Sequence, residues 1–116
     1  MRHHDRNRKL GRVKRQRSAL LRGLARSLVL SGGITTTIAK AKALRPYVER
    51  LVTISKKDNP VSRQRILAQL GSSEAERKLR ELKTRFAKRS GGYTRIIQLG
   101  RVGKRVCEMT RIEFVE

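Results

Sequence analysis

The chain has 116 residues with thirty Lys and Arg against nine Asp and Glu, a formal net charge of +21 that repels itself in water and favours a polyanionic partner. One Cys excludes an internal disulfide, and with no second thiol it makes neither a zinc site nor a redox pair, which fits a reducing compartment. No apolar run approaches the roughly 20 residues of a membrane span, and the longest candidate, Leu24 to Leu30, is interrupted by Arg26 and Ser27.

The densest charge opens the molecule. Residues 1–17 read MRHHDRNRKLGRVKRQR, with Asp5 the only acid and almost nothing to enter a core. Such a stretch is expected to be an extended basic arm that takes shape only on a polyanion, leaving residues 18–116 as one globular domain. It has no hydrophobic leader segment and no Ser before position 18, so the arm is read as part of the mature protein. His3 and His4 lack further ligands for a metal, and phosphate contact is their expected role.

Ser18 stands where a helix N-cap is expected, followed by Leu20, Leu24 and Leu28 at i, i+4, i+8, with Leu21 and Ala25 widening the stripe. Arg15, Arg22 and Arg26 take the opposite face, and Gly32–Gly33 stops the helix. Residues 34–38, ITTTI, alternate apolar and hydroxyl side chains and predict a short strand. From Ala39 the helical period returns through Leu44, Tyr47, Val48, Leu51 and Ile54 to about Ser55, with Pro46 predicting a kink or a fresh start. Asn59–Pro60 is an N-cap followed by a first-position proline, and Ile66, Leu67 and Leu70 lead to Gly71.

Ser73 and Glu76 match a capping box, opening a helix with Ala75, Leu79, Leu82 and Phe86 on one face. Glu74 with Lys78, Glu76 with Arg80 and Glu81 with Arg85 are i, i+4 pairs on its solvated side. After Gly91–Gly92, two extended runs, Tyr93 to Leu99 and Val106 to Val115, flank a Gly-containing loop and predict a hairpin with a bulge near Met109. Cys107 is expected as a small buried side chain in the second run. The order α-β-α-α-α-β-β predicts an α+β two-layer domain, its helices packed on one face of a small mixed sheet.

Catalysis has no support: there is no Ser, His and Asp set, no carboxylate pair in apolar surroundings and no phosphate-cradling Gly-rich motif, so neither enzyme activity nor a cofactor is expected. Tyr47, Phe86, Tyr93 and Phe114 are too few for a base-stacking sheet, and no RNP1-type motif is present. Recognition should rest on phosphates and shape, with Arg as the leading donor. A DNA-compacting protein or a general nucleic-acid chaperone would use the same charge and is the alternative reading; no helix-turn-helix or zipper pattern supports it.

Several segments together resemble the bacterial large-subunit ribosomal protein seventeen family: Met1-Arg-His3, Lys9-Leu-Gly-Arg12, Arg17-x-Ala19-Leu20 through Leu24-Ala25, Ile34 to Lys42 with Leu44-Arg45-Pro46, Arg85-Phe86-Ala-Lys-Arg89-x-Gly91-Gly-Tyr-Thr-Arg-Ile96, and Ile112-Glu-Phe-Val115. The resemblance implies a structural constituent of the large ribosomal subunit, cytoplasmic and in the ribosome. It would bind large-subunit rRNA near the nascent-chain exit region beside neighbouring ribosomal proteins, with no membrane or small-molecule partner. The expected RNA contacts are Arg2, His3, Arg6, Arg8, Lys9, Arg12, Lys14, Arg15 and Arg17 in the arm, Arg22 and Arg26 on the first helix, Thr36, Lys40, Lys42 and Arg45 after it, and Arg89, Gly91, Gly92, Tyr93 and Arg95. Thr35 to Thr37 would cap a helix whose first-turn amides, with Lys40 and Lys42, either meet a phosphate or form an ordinary helix start. Gly91–Gly92 would let backbone approach RNA closely, with Tyr93 either stacking on RNA or filling the core behind a plain turn.

Overall fold

The computed structural model describes residues 13–57, 59–101 and 108–115. Helix α1 spans Lys14–Ser31, so the first turn forms ahead of the start expected at Ser18. Val13 occupies the N-cap without a side-chain bond, and the Arg17 amide donates to its carbonyl at 2.9 Å. Ala25, Leu28 and Val29 are buried and hold the helix down. Lys, Arg and Gln are good helix formers, so the backbone propagates outward from that anchor through exposed residues without needing a cap.

Strand β1 is Gly33–Thr37, and α2 follows at once as Ile38–Ser55, with Thr37 Oγ1 accepting from the Lys40 amide at 3.5 Å. Pro46 neither ends nor restarts α2. Its missing amide would have served the Lys42 carbonyl; both residues are exposed, so that carbonyl lies on the solvent side while Leu44 and Val48 pin the opposite side. Helix α3 spans Pro60–Leu70 and begins as the sequence predicts: Asn59 Oδ1 accepts from the Ser62 amide at 2.8 Å, and Pro60 sits in the first turn. It ends at Gly71, whose φ of 68° an L side chain rarely adopts.

Helix α4, Ser73–Arg85, is capped by Ser72, not by Ser73 as the capping box predicts. Ser72 Oγ accepts from the Ala75 amide at 3.3 Å. The connection from α3 is only Gly71–Ser72, and that tight turn moves the cap forward by one residue. Glu76, freed from a capping role, meets Arg80 at 2.8 Å as a pair of charges lying off the line of a hydrogen bond.

Strands β2 (Thr94–Gly100) and β3 (Met109–Phe114) form the predicted hairpin, and the sheet order is β1-β3-β2. Both pairings are antiparallel, which corrects the expectation of a mixed sheet. β1 and β2 run the same way, but β3 lies between them in the opposite sense, so no parallel pair forms. The register slips between Gln98 and Gly100, so the irregularity falls on β2, opposite Met109, and not on β3. Cys107 and residues 1–12 lie outside the described residues.

All the helices lie on one side of this sheet's packing. α2 contacts all three strands and also α1, α3 and α4, and it forms the centre of the domain. Ile34, Ile112 and Ile96 are in register across the strands and face it, while Leu44, Val48, Val52, Ile66, Leu70 and Leu79 fill the helical side of the core. At one end of the core Phe86, just past α4, packs on Tyr93 and Phe114 with ring centroids 5.2 and 5.9 Å away.

Candidate nucleic-acid interface

Between Phe86 and Tyr93, both 1% exposed, the chain makes an outward turn in which residues 87–92 are exposed. Two buried aromatic feet therefore fix a solvent-facing loop. Gly92 has φ of 63°, and neither Gly91 nor Gly92 has a heavy atom within 4 Å of where a Cβ would sit. The backbone there is unobstructed, as a close approach by a phosphate requires.

Helix α2 and its C-cap residue brace this turn from behind with two side chains. Lys56 donates to the Tyr93 hydroxyl at 2.8 Å and to the Arg89 carbonyl, with its ammonium 4.6 Å from the Tyr93 ring centroid. Seven residues earlier, two helical turns back on the same face, Glu49 Oε2 accepts from the amide and the hydroxyl of Thr94, each at 3.2 Å. Arg89 adds an internal tie, Nη1 to the Gly92 carbonyl at 3.4 Å. The same Glu49 oxygen lies 4.0 Å from Arg45 Nε, one turn earlier on α2.

Tyr93 is thus a core residue: of the two roles expected for its ring, stacking on RNA or filling the core behind the turn, its burial fits the second. One face meets Phe86, and the Lys56 ammonium covers the ring from outside. The hydrogen bond from Lys56 holds the Tyr93 hydroxyl below its ordinary value of 10.0, against the opposing effect of burial. Replacing Lys56 with Met removes the largest cause of the lowering and leaves the burial, with only the weaker pull of Thr53 against it. Tyrosinate absorbance should then show the Tyr93 titration moving to higher pH, with the Tyr47 phase unchanged; a Tyr93 midpoint that stays in place would show that Lys56 does not bind the hydroxyl.

The structure distributes the other expected contacts unevenly. Arg89, Gly91 and Gly92 come together at the turn, while Arg45 is exposed on α2 beside Glu49. Arg95, on the outer face of the sheet, donates to Glu113 Oε2 at 3.0 Å, and Arg111 donates to Oε1 at 3.2 Å. That shared carboxylate is held below its usual range by the Arg95 hydrogen bond first and by Arg111 second. Two guanidinium groups share one acid, so net positive charge is left on that face. Lys40 is half-buried and Lys42 exposed in the first turns of α2, and Thr36 is buried in β1. Arg26 turns inward: its Nε donates to the Leu70 carbonyl at 2.8 Å, giving α3 a cation that its own last turn lacks. Lys14, Arg15 and Arg22 are exposed on α1 and Arg17 is half-buried, while Arg2, His3, Arg6, Arg8, Lys9 and Arg12 lie outside the described residues.

Sequence reasoning missed Glu49 and Lys56. One signal was present, because Glu49 is the only acid between Asp5 and Asp58. A lone carboxylate in so cationic a stretch marks a structural partner. Among the described residues no group of His, Cys, Asp and Glu could hold a metal, and no helix is long and apolar enough to cross a membrane.

The family model described as Ribosomal protein L17 matches residues 20–115. A Hydrogenobaculum protein named "Large ribosomal subunit protein bL17" is 50% identical, the alignment covering all of both chains. Proteins of the same name from Nautilia profundicola, 47% identical over 99% of this chain and 98% of its own length, and from Sulfurimonas denitrificans, 44% identical over 100% and 98%, are also similar.

Proposed function

Because this chain belongs to the ribosomal protein L17 family, whose members are structural components of the large ribosomal subunit and not enzymes, we propose that it binds and stabilises folded large-subunit rRNA near the nascent-chain exit region. Contacts are to phosphates and to the shape of the RNA, and neighbouring ribosomal proteins complete the surroundings. The observation that carries this reading is the braced turn at Gly91–Gly92. Unobstructed backbone, with Arg89 tied beside it on a chain of net charge +21, is organised before any ligand arrives. A preformed donor set spends little ordering entropy on binding.

Residues 1–17 act as one cationic arm whose last turn, from Lys14, is already helical on α1, and the body from Ser18 carries the turn. The contacts assigned to RNA are the arm cations, Arg22, Lys40, Lys42, Arg45, Arg89, Gly91, Gly92 and Arg95. Arg26 and Tyr93 support the fold beneath them.

Sedimentation of cell lysate at moderate salt tests the assignment, and the protein should travel with large subunits. Recovery mainly in free fractions would overturn it. Equal affinity for structured RNA and duplex DNA at one salt concentration would instead favour a general nucleic-acid binder.

A further inference from the structure

We propose that Arg50 and Arg65, which line a groove between α2 and α3 with Tyr47, form together with the neighbouring Arg22 of α1 a second phosphate site for the RNA backbone, distinct from the Arg89–Gly92 turn. The inference rests on the rRNA-binding reading and names a part of the surface that sequence patterns did not assemble.

A groove of about 160 Å³ runs between α2 and α3, lined by Tyr47, Arg50, Leu51, Ile54, Arg65 and Gln69. No carboxylate lines it, and among the described residues neither Arg50 nor Arg65 makes an ion pair. Tyr47 donates to Gln69 Oε1 at 2.7 Å, which orients its oxygen. Burial pushes that hydroxyl above its ordinary value, against the pull of Arg22, which reaches it, and of Arg50 nearby. On the α1 side, Arg22 Cδ lies 3.6 Å from where a Cβ on Gly71 would sit, so the bare Gly71 lets α1 lay its arginine over the end of α3.

Guanidinium groups converging without an acid between them repel one another, and an apolar floor of Leu51 and Ile54 strengthens the field above it. An anion relieves that repulsion. The planar donor fork of arginine matches the two free oxygens of a phosphodiester. Helix α1 directly continues the basic leading segment, so a polyanion held by that segment lies on course for Arg22. The comparable basic groove between α3 and α4 contains Glu81, and its Arg80 is already paired with Glu76, so it has less need of an external anion.

The test compares the full-length chain with Arg50→Gln/Arg65→Gln and with a charge-matched control, Arg77→Gln/Lys78→Gln, on the exposed side of α4. Binding of deproteinised large-subunit rRNA is measured over a salt series, with thermal melts to confirm folding. The first pair should lower the slope of log K against log salt by about 1.4–1.8, at roughly 0.7–0.9 per lost phosphate contact, and the control by much less. Equal losses in both pairs, or none in the first, would overturn the site. Loss of poly-glutamate binding with rRNA binding unchanged would give the groove to an acidic protein segment and also overturn it. Wild-type protein that binds rRNA no better than duplex DNA would instead sink the underlying rRNA-binding reading, before any variant is considered.

Discussion

Phe86→Ala should lower stability by about 3–5 kcal/mol, the range for truncating a buried aromatic. Phe86 is 1% exposed and is the ring that touches both Tyr93 and Phe114, so its loss opens a cavity where the end of α4 meets the sheet. At about 4 °C per kcal/mol for a chain of this size, thermal melts should shift down by roughly 12–20 °C. Phe86→Leu, which keeps most of the volume, should recover much of the loss. The same ring is one foot of the Gly91–Gly92 turn, so RNA affinity should fall even at temperatures where the variant is folded. A melt displaced by only a degree or two would mean that Phe86 is not the keystone of this end of the core.

Deletion of residues 2–12 should leave the melt unchanged and flatten the salt dependence of rRNA binding steeply. The segment carries Arg2, Arg6, Arg8, Lys9 and Arg12, and each phosphate contact contributes about 0.7–0.9 to the slope, so the reduction reaches about 3.5–4.5 if all five engage. The cut is placed before Val13 because α1 begins at Lys14; removal through Arg17 would also unravel a helical turn and mix a folding defect into the measurement. An unchanged slope would show that the segment does not touch the polyanion. A lowered melting temperature would show that it contributes to the body of the domain.

Both expectations, and the Lys56→Met titration, depend on α2. It is buried along Ala41, Leu44, Val48, Leu51 and Val52, and it carries Glu49 and, at its C-cap, Lys56 to the turn and Tyr47 and Arg50 to the groove. One helix thereby serves as core, as brace and as part of two cationic surfaces. Its faces divide that work: the apolar stripe meets the sheet and the neighbouring helices, and the polar flanks reach outward on either side.

Local chemistry made much of the architecture readable before any coordinates. Asn59–Pro60 and Gly71 bracket α3 because cap and stop act within a single turn, and the hairpin follows from two extended runs around a glycine-containing loop. The net charge, and with it the class of partner, needs only composition. Where neighbours compete, local reading slipped: Ser72 took the cap from Ser73, and α1 outran Ser18 because a buried anchor downstream sufficed. The candidate site depended on distance along the chain. Lys56 and Tyr93 are 37 residues apart, Glu49 and Thr94 are 45 apart, and Arg26 reaches Leu70 across 44. Periodicity records which face of a helix is apolar, but not which distant segment that helix lies against. Only packing decided that Tyr93 turns inward, that Arg26 caps a helix other than its own, and that Arg50 and Arg65 from two helices line one groove with Tyr47, because those contacts are set by how whole elements fill space together.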